Sequence, residues 1–503
     1  MLEAEDMAFT TLNAAEGCGR KAWVLGLGAS GRAAAKYLAS RGWAVRVYDT
    51  REAPAGADAF REEAPQCEVV LGRFPEAVES DVALLVMSPG VSPYFGAAAA
   101  VCASAREAGV PTAGEIELFA QELAHLKRTA GYEPKVIGVT GTNGKTTTTT
   151  LTAKMVEAAG LSVVAAGNIG PNAVTELLKA EASGMLPDVW VLELSSFQLE
   201  TSHSLECVSA AILNITEDHL DWHGSMKAYA RAKRRIFAPS TVRVLNREDP
   251  IVMAEAAELA PARTLTFGAT KPQVEGEFGL MLAAHASQGY WLGVRDQMEI
   301  DILFLPELEL MIRGRHNAMN ALAALALVSG AGIETRPAIG VLRTYKGEPH
   351  RVELVRTVEG RDFIDDSKGT NVGAVAAAVL GLSAQGRRIL ILMGGDGKGQ
   401  DFTPLADVLK DRAAAVALIG RDADKIREAV EPAGADMAKF ETLEAAVDWL
   451  WDKSRAGDQI LLSPACASWD MFRDYAERSE RFKAEAARIA ERVVPKADEA
   501  VQG

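Results

Sequence analysis

Short runs of β-branched and apolar residues that break at glycine and pass into helical patterns recur along this chain. Ala22-Trp23-Val24-Leu25 reads as a buried strand, followed by Gly26-Leu27-Gly28-Ala29-Ser30-Gly31 and a helical stretch from Arg32 to Ala39. Ala44 to Tyr48 and Val82 to Met87 repeat the strand pattern, the first ending on Asp49 and the second in the turn Ser88-Pro89-Gly90. A helical stretch inside Ala113–Glu133 leads to a polar linker with Gly131 and Pro134. Beyond it, Ser162 to Ala166, Val189 to Leu194 and Ala210 to Leu213 are strand-like, and Tyr229 to Phe237 is helical. Asn246 to Leu305 alternates short strands and turns, and an alanine-rich helix opens after Arg313-Gly314-Arg315-His316. Lys346-Gly347-Glu348-Pro349 punctuates the chain a second time. Strands at Phe363–Asp365, Arg388–Met393, Ala415–Ile419 and Gln459–Leu462 then alternate with helices, and after Ser468 a charged helix runs to Arg492 before an acidic, unstructured tail. Strand–helix alternation of this kind predicts mostly parallel sheets.

The most informative turn is Val136-Ile137-Gly138-Val139-Thr140-Gly141-Thr142-Asn143-Gly144-Lys145-Thr146-Thr147. A strand breaks into a glycine-rich loop and then a helix, so backbone N–H groups and a helix N-terminus converge where Lys145 adds a positive charge. This is a seat for a polyphosphate. The usual phosphate-loop spacing has glycine where Val139 stands, so the motif is a shortened variant, and the Thr146 hydroxyl still suits a magnesium ion brought by a nucleotide. The Gly26–Gly31 turn fits GxGxxG, and Asp49 falls 18 residues past Gly31, near the place of a ribose-binding carboxylate. Such a turn reports a diphosphate beside a helix N-terminus, which NAD and a UDP-sugar both carry. Arg51 suits a 2′-phosphate or a uracil carbonyl, so the nucleotide stays open here. Ser88 is either a ligand contact or a plain turn serine. Glu193 lies in an apolar strand, where a carboxylate is costly unless paired or metal-bound. Spacing alone leaves His219 as readily a loop histidine, and Lys233 as one of a solvated basic face.

The chain's 503 residues suffice for about three domains. Hydrophobic residues at 48% and charged ones at 24% are typical of a globular protein with sizeable cores. No signal peptide or membrane-spanning run is visible, so a cytoplasmic location is expected, with residues 1–20 a disordered extension. Five scattered cysteines without CxxC spacing support neither a disulfide framework nor a zinc site. A net charge of −15 argues against nucleic acid or an anionic membrane as partner, so anionic ligands must be held by local sites. The expected fold is α/β in three domains: a Rossmann-like N-terminal domain at 21–133, a P-loop ATPase-like central domain at 134–346, and a Rossmann-like C-terminal domain at 347–503.

Thr-Gly-Thr-Asn-Gly-Lys-Thr at 140–146, Gly-Asn-Ile-Gly at 167–170, Leu-Glu-Leu-Ser-Ser-Phe-Gln-Leu-Glu at 192–200 and Thr-Glu-Asp-His-Leu-Asp at 216–221 resemble, in this order, the central domain of the Mur ligases. Asp366-Ser367-Lys368-Gly369-Thr370-Asn371, Gly394-Gly395-Asp396-Gly397-Lys398 and Leu462-Ser463-Pro464-Ala465-Cys466-Ala467-Ser468 resemble the D-glutamate-adding branch of that family. The likeness runs from about Ala22 to about Arg488. It implies an ATP-dependent ligase that adds D-glutamate to UDP-N-acetylmuramoyl-L-alanine through an acyl phosphate, in peptidoglycan precursor synthesis.

By the same resemblance, Lys145, Glu193, His219 and Lys233 are catalytic. ATP is held by Gly141, Thr142, Asn143, Gly144, Lys145, Thr146, Thr147 and Thr148, with Asn317, Asn320, Arg351 and Asp366. His350 also gains a role, and an N-cap is the plainer reading of Asn317. Ala29, Ser30, Gly31, Asp49, Thr50, Arg51, Ser88, Asn168 and His219 would bind the UDP substrate. Lys368, Thr370, Lys398, Ser468 and Tyr475 would take D-glutamate. Thr146, Glu193, His219 and a carbamate on Lys233 would ligate Mg²⁺. A monomer working on small molecules is implied. The chain departs from the family at Gly369, where alanine is common, at Trp469 and Met471, where smaller or polar residues are usual, and at Tyr475, where phenylalanine is expected. Three other readings compete. A folylpolyglutamate synthetase-like ligase lacks the GxGxxG front domain, an NAD-dependent oxidoreductase leaves the Gly-Lys-Thr loop idle, and a nucleotide-dependent binding module does not require Glu193, His219 and Lys233 together. Another amino-acid-adding Mur ligase is the remaining alternative.

Overall fold

The computed structural model describes residues 17, 19–282, 289–298, 300–312, 314–383 and 386–493. Most of the expected N-terminal extension, Cys18, Arg313 and the acidic tail lie outside the described residues. Gly17 and Gly19 donate backbone bonds to the carbonyls of Arg41 and Gly42, at 3.0 and 2.9 Å. The described strands form three sheets in two compact units. One unit runs to Ile215 and resumes over His219–Glu307 and Asn320–Leu342; the other comprises Thr216–Asp218, Leu308–Met319 and the chain from Arg343 onward.

In the first unit, β1 (Lys21–Leu25), β2 (Ala44–Asp49), β3 (Glu68–Leu71), β4 (Val82–Met87) and β5 (Thr112–Ala113) make a parallel sheet in the order β3-β2-β1-β4-β5. The order reverses between β1 and β4, and the carboxyl ends of those two strands carry the Gly26–Gly31 and Ser88–Gly90 turns. The second sheet contains β6 (Lys135–Thr140), β7 (Val163–Gly167), β8 (Val189–Glu193), β9 (Ser209–Ile212), β10 (Val242–Asn246), β11 (Thr264–Phe267), β12 (Glu277–Leu282), β13 (Tyr290–Arg295) and β14 (Asp301–Pro306). Its order is β14-β13-β12-β11-β10-β9-β6-β8-β7, parallel except for the β12–β14 meander. β6 is flanked by β8 and β9, so the phosphate loop, Glu193 and Asn214 emerge side by side.

The second unit holds β15 (Glu353–Val358), β16 (Arg361–Asp365), β17 (Ile389–Gly394), β18 (Ala413–Ile419), β19 (Asp436–Lys439) and β20 (Gln459–Leu462), in the order β15-β16-β20-β17-β18-β19. Insertion of β20 between β16 and β17 brings three strand ends together that are far apart in sequence. β15 is antiparallel to β16, and neither it nor β19 is marked by an apolar run. The stretch from Asn246 to Leu305 is not only strands and turns. Pro250–Ala257 is a helix whose cap, Asp249, accepts from Ile251 and Val252 N–H groups; the Asp-Pro pair is a readable helix start. The charged C-terminal helix spans Tyr475–Val493, so a loop separates it from Ser468. Asn317 lies inside the first turn of the helix Arg315–Gly330 and not at its cap.

The helix Glu115–Ala130 joins the two sheets of the first unit. Its Phe119 meets Trp190 of β8 edge to face at 5.0 Å. Its Glu122, 1% exposed, takes the Tyr37 hydroxyl at 2.5 Å and Arg41 at 2.9 Å, while Arg41 also reaches Glu181 at 2.7 Å. Replacing Glu122 by alanine strands the Tyr37 hydroxyl and half of this network, so Glu122→Ala is expected to cost about 1–3 kcal/mol. A fall in the thermal midpoint and in the urea midpoint of the first transition checks it; an unchanged midpoint shows the network to be neutral.

Candidate active site

A cleft of about 940 Å³ opens at the β1/β4 switch point. Ala29, Ser30, Asp49, Thr50, Arg51 and Ser88 line it on one side and Asn168 on the other, joined by Gln198, Asp221 and Trp222. Gly31 lies behind the floor, where a Cβ would stand 1.8 Å from the Gly26 carbonyl oxygen, so its part is close helix–strand packing. Ser88 donates its hydroxyl to that same oxygen at 2.9 Å, which binds the glycine turn to β4. Asp49 is 3% exposed and its carboxylate is saturated. One oxygen accepts Leu27 N–H and Arg51 Nη2, both at 2.7 Å; the other accepts Arg51 N–H and Nε, both at 2.9 Å. A carboxylate has about four acceptor sites. None remains for a ribose hydroxyl, so Asp49 braces the turn and aims Arg51. Burial raises its pKa, but the Arg51 side chain and the two backbone donors outweigh it and hold the carboxyl down to about 2.

The phosphate loop follows β6. Gly141 (φ 151°) and Gly144 (φ 85°) take conformations unsuited to larger residues, and Gly144 caps the helix Lys145–Ala158. Asn214 clamps the loop: its Oδ1 accepts Asn143 N–H at 2.8 Å, its Nδ2 donates to the Asn143 carbonyl at 3.0 Å, and its own carbonyl accepts Thr142 N–H at 2.9 Å. Asn320 packs on the other side. A Cβ on Gly144 would lie 2.4 Å from its Oδ1, and Thr148 is 3.5 Å away. Lys145 donates to the carbonyls of Gly141 and Thr142 at 2.9 Å each. Lys233, 1% exposed, donates to the same Gly141 oxygen at 2.9 Å and lies 4.5 Å from the Tyr229 ring, whose hydroxyl meets Thr142 Oγ1 at 3.0 Å. The solvated-face reading of Lys233 is excluded.

His219 sits in the left-handed region (φ 54°), which puts its ring on Phe197 at 4.7 Å. His223 stacks on the same Phe197, and burial, then the charges of Lys233 and His219, push its pKa down to about 3. Glu193 is 2% exposed. Its Oε1 accepts Asn168 Nδ2 at 2.8 Å, and its Oε2 is buried with no hydrogen-bond partner among the described residues. A buried anionic oxygen left open beside a phosphate loop suits a divalent cation.

In the second unit the strand ends of β16, β17 and β20 carry Lys368 and Thr370, Lys398, and Ser468 respectively. Lys398 (φ 51°) and Ala465 (φ 59°) are held in the left-handed region, a strain that packed surroundings must sustain. Lys368 Nζ lies over the Tyr475 ring at 5.0 Å, and the His350 ring meets the same tyrosine edge-on at 5.8 Å. His350 Nδ1 is within 2.9 Å of Asp365 and 2.8 Å of Ser479. Lys483, 2.8 Å from Glu353 and 3.6 Å from Asp365, already supplies a cation to the acids beside that histidine. Burial pushes the Asp366 carboxyl up to about 7, against the Ser463 hydroxyl at 2.6 Å and the charge of Arg351. A Cβ on Gly369 would stand 2.4 Å from Asp366 Oδ2, so glycine here lets Asp366 turn toward Ser463. Buried Arg478 ties two of the turns, donating to the carbonyls of Ser367 at 2.8 Å and Cys466 at 3.2 Å.

Family models match the chain in three consecutive blocks: a Mur ligase MurD-like N-terminal domain over 20–114, a Mur ligase middle domain over 139–328, and a Mur ligase glutamate ligase domain over 350–466. The chain belongs to the Mur ligase family. Curated relatives named "UDP-N-acetylmuramoylalanine--D-glutamate ligase" include those of Ralstonia nicotianae, 49% identical over 93% of this chain and 96% of the relative, and Cupriavidus pinatubonensis, 47% identical with the same coverage. Among solved structures, MurC of Thermotoga maritima superposes with TM-score 0.57 at 19% identity, over 93% of this chain and 99% of that one. MurF of Acinetobacter baumannii gives 0.58 at 18%, over 95% and 92%. E. coli FolC in complex with ADP gives 0.52 at 18%, over 75% and 94%. These likenesses show a shared fold.

This Mur ligase is an ATP-dependent ligase, and several residues that shape its sites escaped the sequence reading. Asn214, just past the Ala210–Leu213 run, and Tyr229, inside a helical stretch, gain no role there, although an asparagine at a strand end opposite a glycine loop is a usable signal. Arg478 gave none, since it lies in a helix rich in charged residues. Asp49 offers a test of the brace. Its folded pKa lies below the unfolded value of 3.8, so its contribution is present above about pH 4 and is lost as pH falls through about 2. Asp49→Asn should therefore cost about 2 kcal/mol near neutral pH, a deficit that vanishes toward pH 2. Thermal midpoints across that range check it; a deficit independent of pH would rule out the ionised brace.

Proposed function

We propose that this Mur ligase joins D-glutamate to UDP-N-acetylmuramoyl-L-alanine, with ATP as the activating nucleotide, as a cytoplasmic monomer. The observation that carries the acceptor is the convergence of Lys368, Thr370, Lys398 and Ser468 at neighbouring strand ends of the third sheet. Two ammonium groups and two hydroxyls match the two carboxylates of a dicarboxylic amino acid. The names of the relatives agree with this reading.

The roles proposed for individual residues are those the family resemblance implies, and their surroundings support several of them. The β1/β4 cleft takes the UDP portion, with the diphosphate on Ala29 and Ser30 at the helix N-terminus and the uracil side on Thr50 and Arg51. Lys145 and the N–H groups of Gly144 to Thr147 hold the ATP phosphates, with Asn143, Asn317, Asn320, Arg351 and Asp366 contributing to nucleotide binding. The substrate carboxylate attacks the γ-phosphorus, ADP leaves, and the resulting acyl phosphate is attacked by the neutral amine of D-glutamate with loss of phosphate. Magnesium, when bound, neutralises charge on the phosphate oxygens. Thr146 and Glu193 suit one ion, the open Glu193 oxygen being the observation that fits it. His219, with a carbamate on Lys233, suits a second.

Phosphate release from ATP that depends on both the UDP-muramoyl peptide and D-glutamate tests the whole reading. Release that L-glutamate or L-lysine supports better than D-glutamate overturns the acceptor. Lys398→Ala should raise the KM for D-glutamate about 10- to 100-fold, the effect of one charge-assisted hydrogen bond, with the KM for ATP nearly unchanged. Tyr475→Phe should cost little. Lys233→Ala should lose nearly all turnover and regain part of it with added short carboxylic acids; a folded variant that no acid rescues would assign Lys233 a role without a carbamate.

A further inference from the structure

The three acceptor turns share one side chain that none of the functional assignments uses. Gln400 lies just past the Gly394–Lys398 turn and is half-buried. Its amide nitrogen donates to the Gly397 carbonyl at 3.0 Å and lies 3.3 Å from the Ala465 carbonyl and 3.4 Å from that of Thr370. Its amide oxygen accepts Val372 N–H at 3.1 Å. That pairing fixes the amide's orientation, because the flipped group would set an oxygen against three carbonyls and an NH₂ against an N–H. Each carbonyl belongs to a different turn: Thr370 to the one after β16, Gly397 to the one bearing Lys398, and Ala465 to the one leading to Ser468. Two of these segments pass through left-handed residues, at Lys398 and Ala465. Their backbone is therefore strained where Gln400 holds it.

Other bonds join the turns pairwise. Ala465 N–H reaches the Gly369 carbonyl at 2.9 Å, and Asp396 and Ala467 exchange backbone bonds at 3.0 and 2.9 Å. Arg478 ties the Ser367 and Cys466 carbonyls from below. Gln400 reaches all three turns through a single amide nitrogen.

We infer that Gln400 is the positioning residue that sets the spacing of Thr370, Lys398 and Ser468, and so the length of dicarboxylic acceptor this enzyme takes. The inference rests on the acceptor reading above and adds to it the group that holds the pocket's dimensions. Two carboxylates separated by a fixed number of methylenes need their partners at a fixed distance. A looser set of turns discriminates less between glutamate and its one-carbon-shorter homologue.

Gln400→Met keeps the length and loses the donor, whereas Gln400→Glu replaces the donor with an acceptor facing three carbonyls. Gln400→Met should raise the KM for D-glutamate about tenfold and narrow its preference over D-aspartate, with kcat within threefold and the KM values for ATP and the UDP substrate within twofold. Gln400→Glu should be worse by the same measure. The inference fails if the D-glutamate KM and the preference over D-aspartate stay within twofold of wild type in both variants, or if all three KM values rise together, which marks general loosening. Wild-type enzyme measured in parallel separates the two ideas: if it prefers another amino acid, the acceptor reading fails, and the variant-to-wild-type KM ratio for that amino acid still decides whether Gln400 positions the turns.

Discussion

Two lysine ammonium groups share the carbonyl oxygen of Gly141, and much of the first unit is arranged so that they can. Lys145 comes from the loop itself and Lys233 from the distant helix Met226–Arg234. Like charges this close repel, and the arrangement is tolerable because both donate to one carbonyl oxygen and Lys233 also lies against the face of Tyr229. The Lys145 ammonium, at the start of the helix, is placed as a counter-charge for a polyphosphate. Burial, and after it the charge of Lys233, keeps the His223 ring neutral well below the usual histidine range. Gly141 can occupy this position because its Cα carries no Cβ, which would approach the Leu213 Cβ to 2.9 Å.

Around that point the first unit links its two sheets through polar contacts that also build the cleft. Asn168 belongs to the cleft wall and at the same time binds Glu193 through side chain and backbone, so the wall and the carboxylate beside the phosphate loop move together. Asn172 reaches Ser30 of the glycine turn at 3.2 Å. Glu115 accepts Val174 N–H at 2.7 Å at the start of the helix that follows the wall, and burial raises its pKa to about 7. Helix Glu115–Ala130 is thus a structural tie between the two sheets of the first unit.

The saturated carboxylate of Asp49 separates two readings that the GxGxxG turn leaves open. In a dinucleotide-binding domain that acid must have an acceptor site free for ribose; here Leu27 and Arg51 occupy all four. On this side the cleft is lined by the Arg51 guanidinium and Thr50. The likeness to FolC covers 75% of this chain, in keeping with a fold shared over only part of its length.

Elements with strong local signals were legible in the sequence. Glycine turns after apolar strands located the phosphate loop, the β1/β4 turn and the strand-end turns, because parallel strands buried on both faces are continuous apolar runs and their exits need glycine. The edge strands β15 and β19 and the Pro250 helix were missed, since half-exposed segments lack such runs. Residue chemistry nominated Lys145 and Glu193 before any fold was known, and family resemblance nominated Lys398. Tertiary structure alone decided that Lys233 faces the Gly141 carbonyl, that Asp49 spends its acceptor sites on its own turn, and that Arg478 and Gln400 tie the turns after β16, β17 and β20. These outcomes depend on strand order, above all on β20 entering between β16 and β17. Strand order sets which distant turns become neighbours, and it is written in packing between elements and not in the periodicity of any one of them.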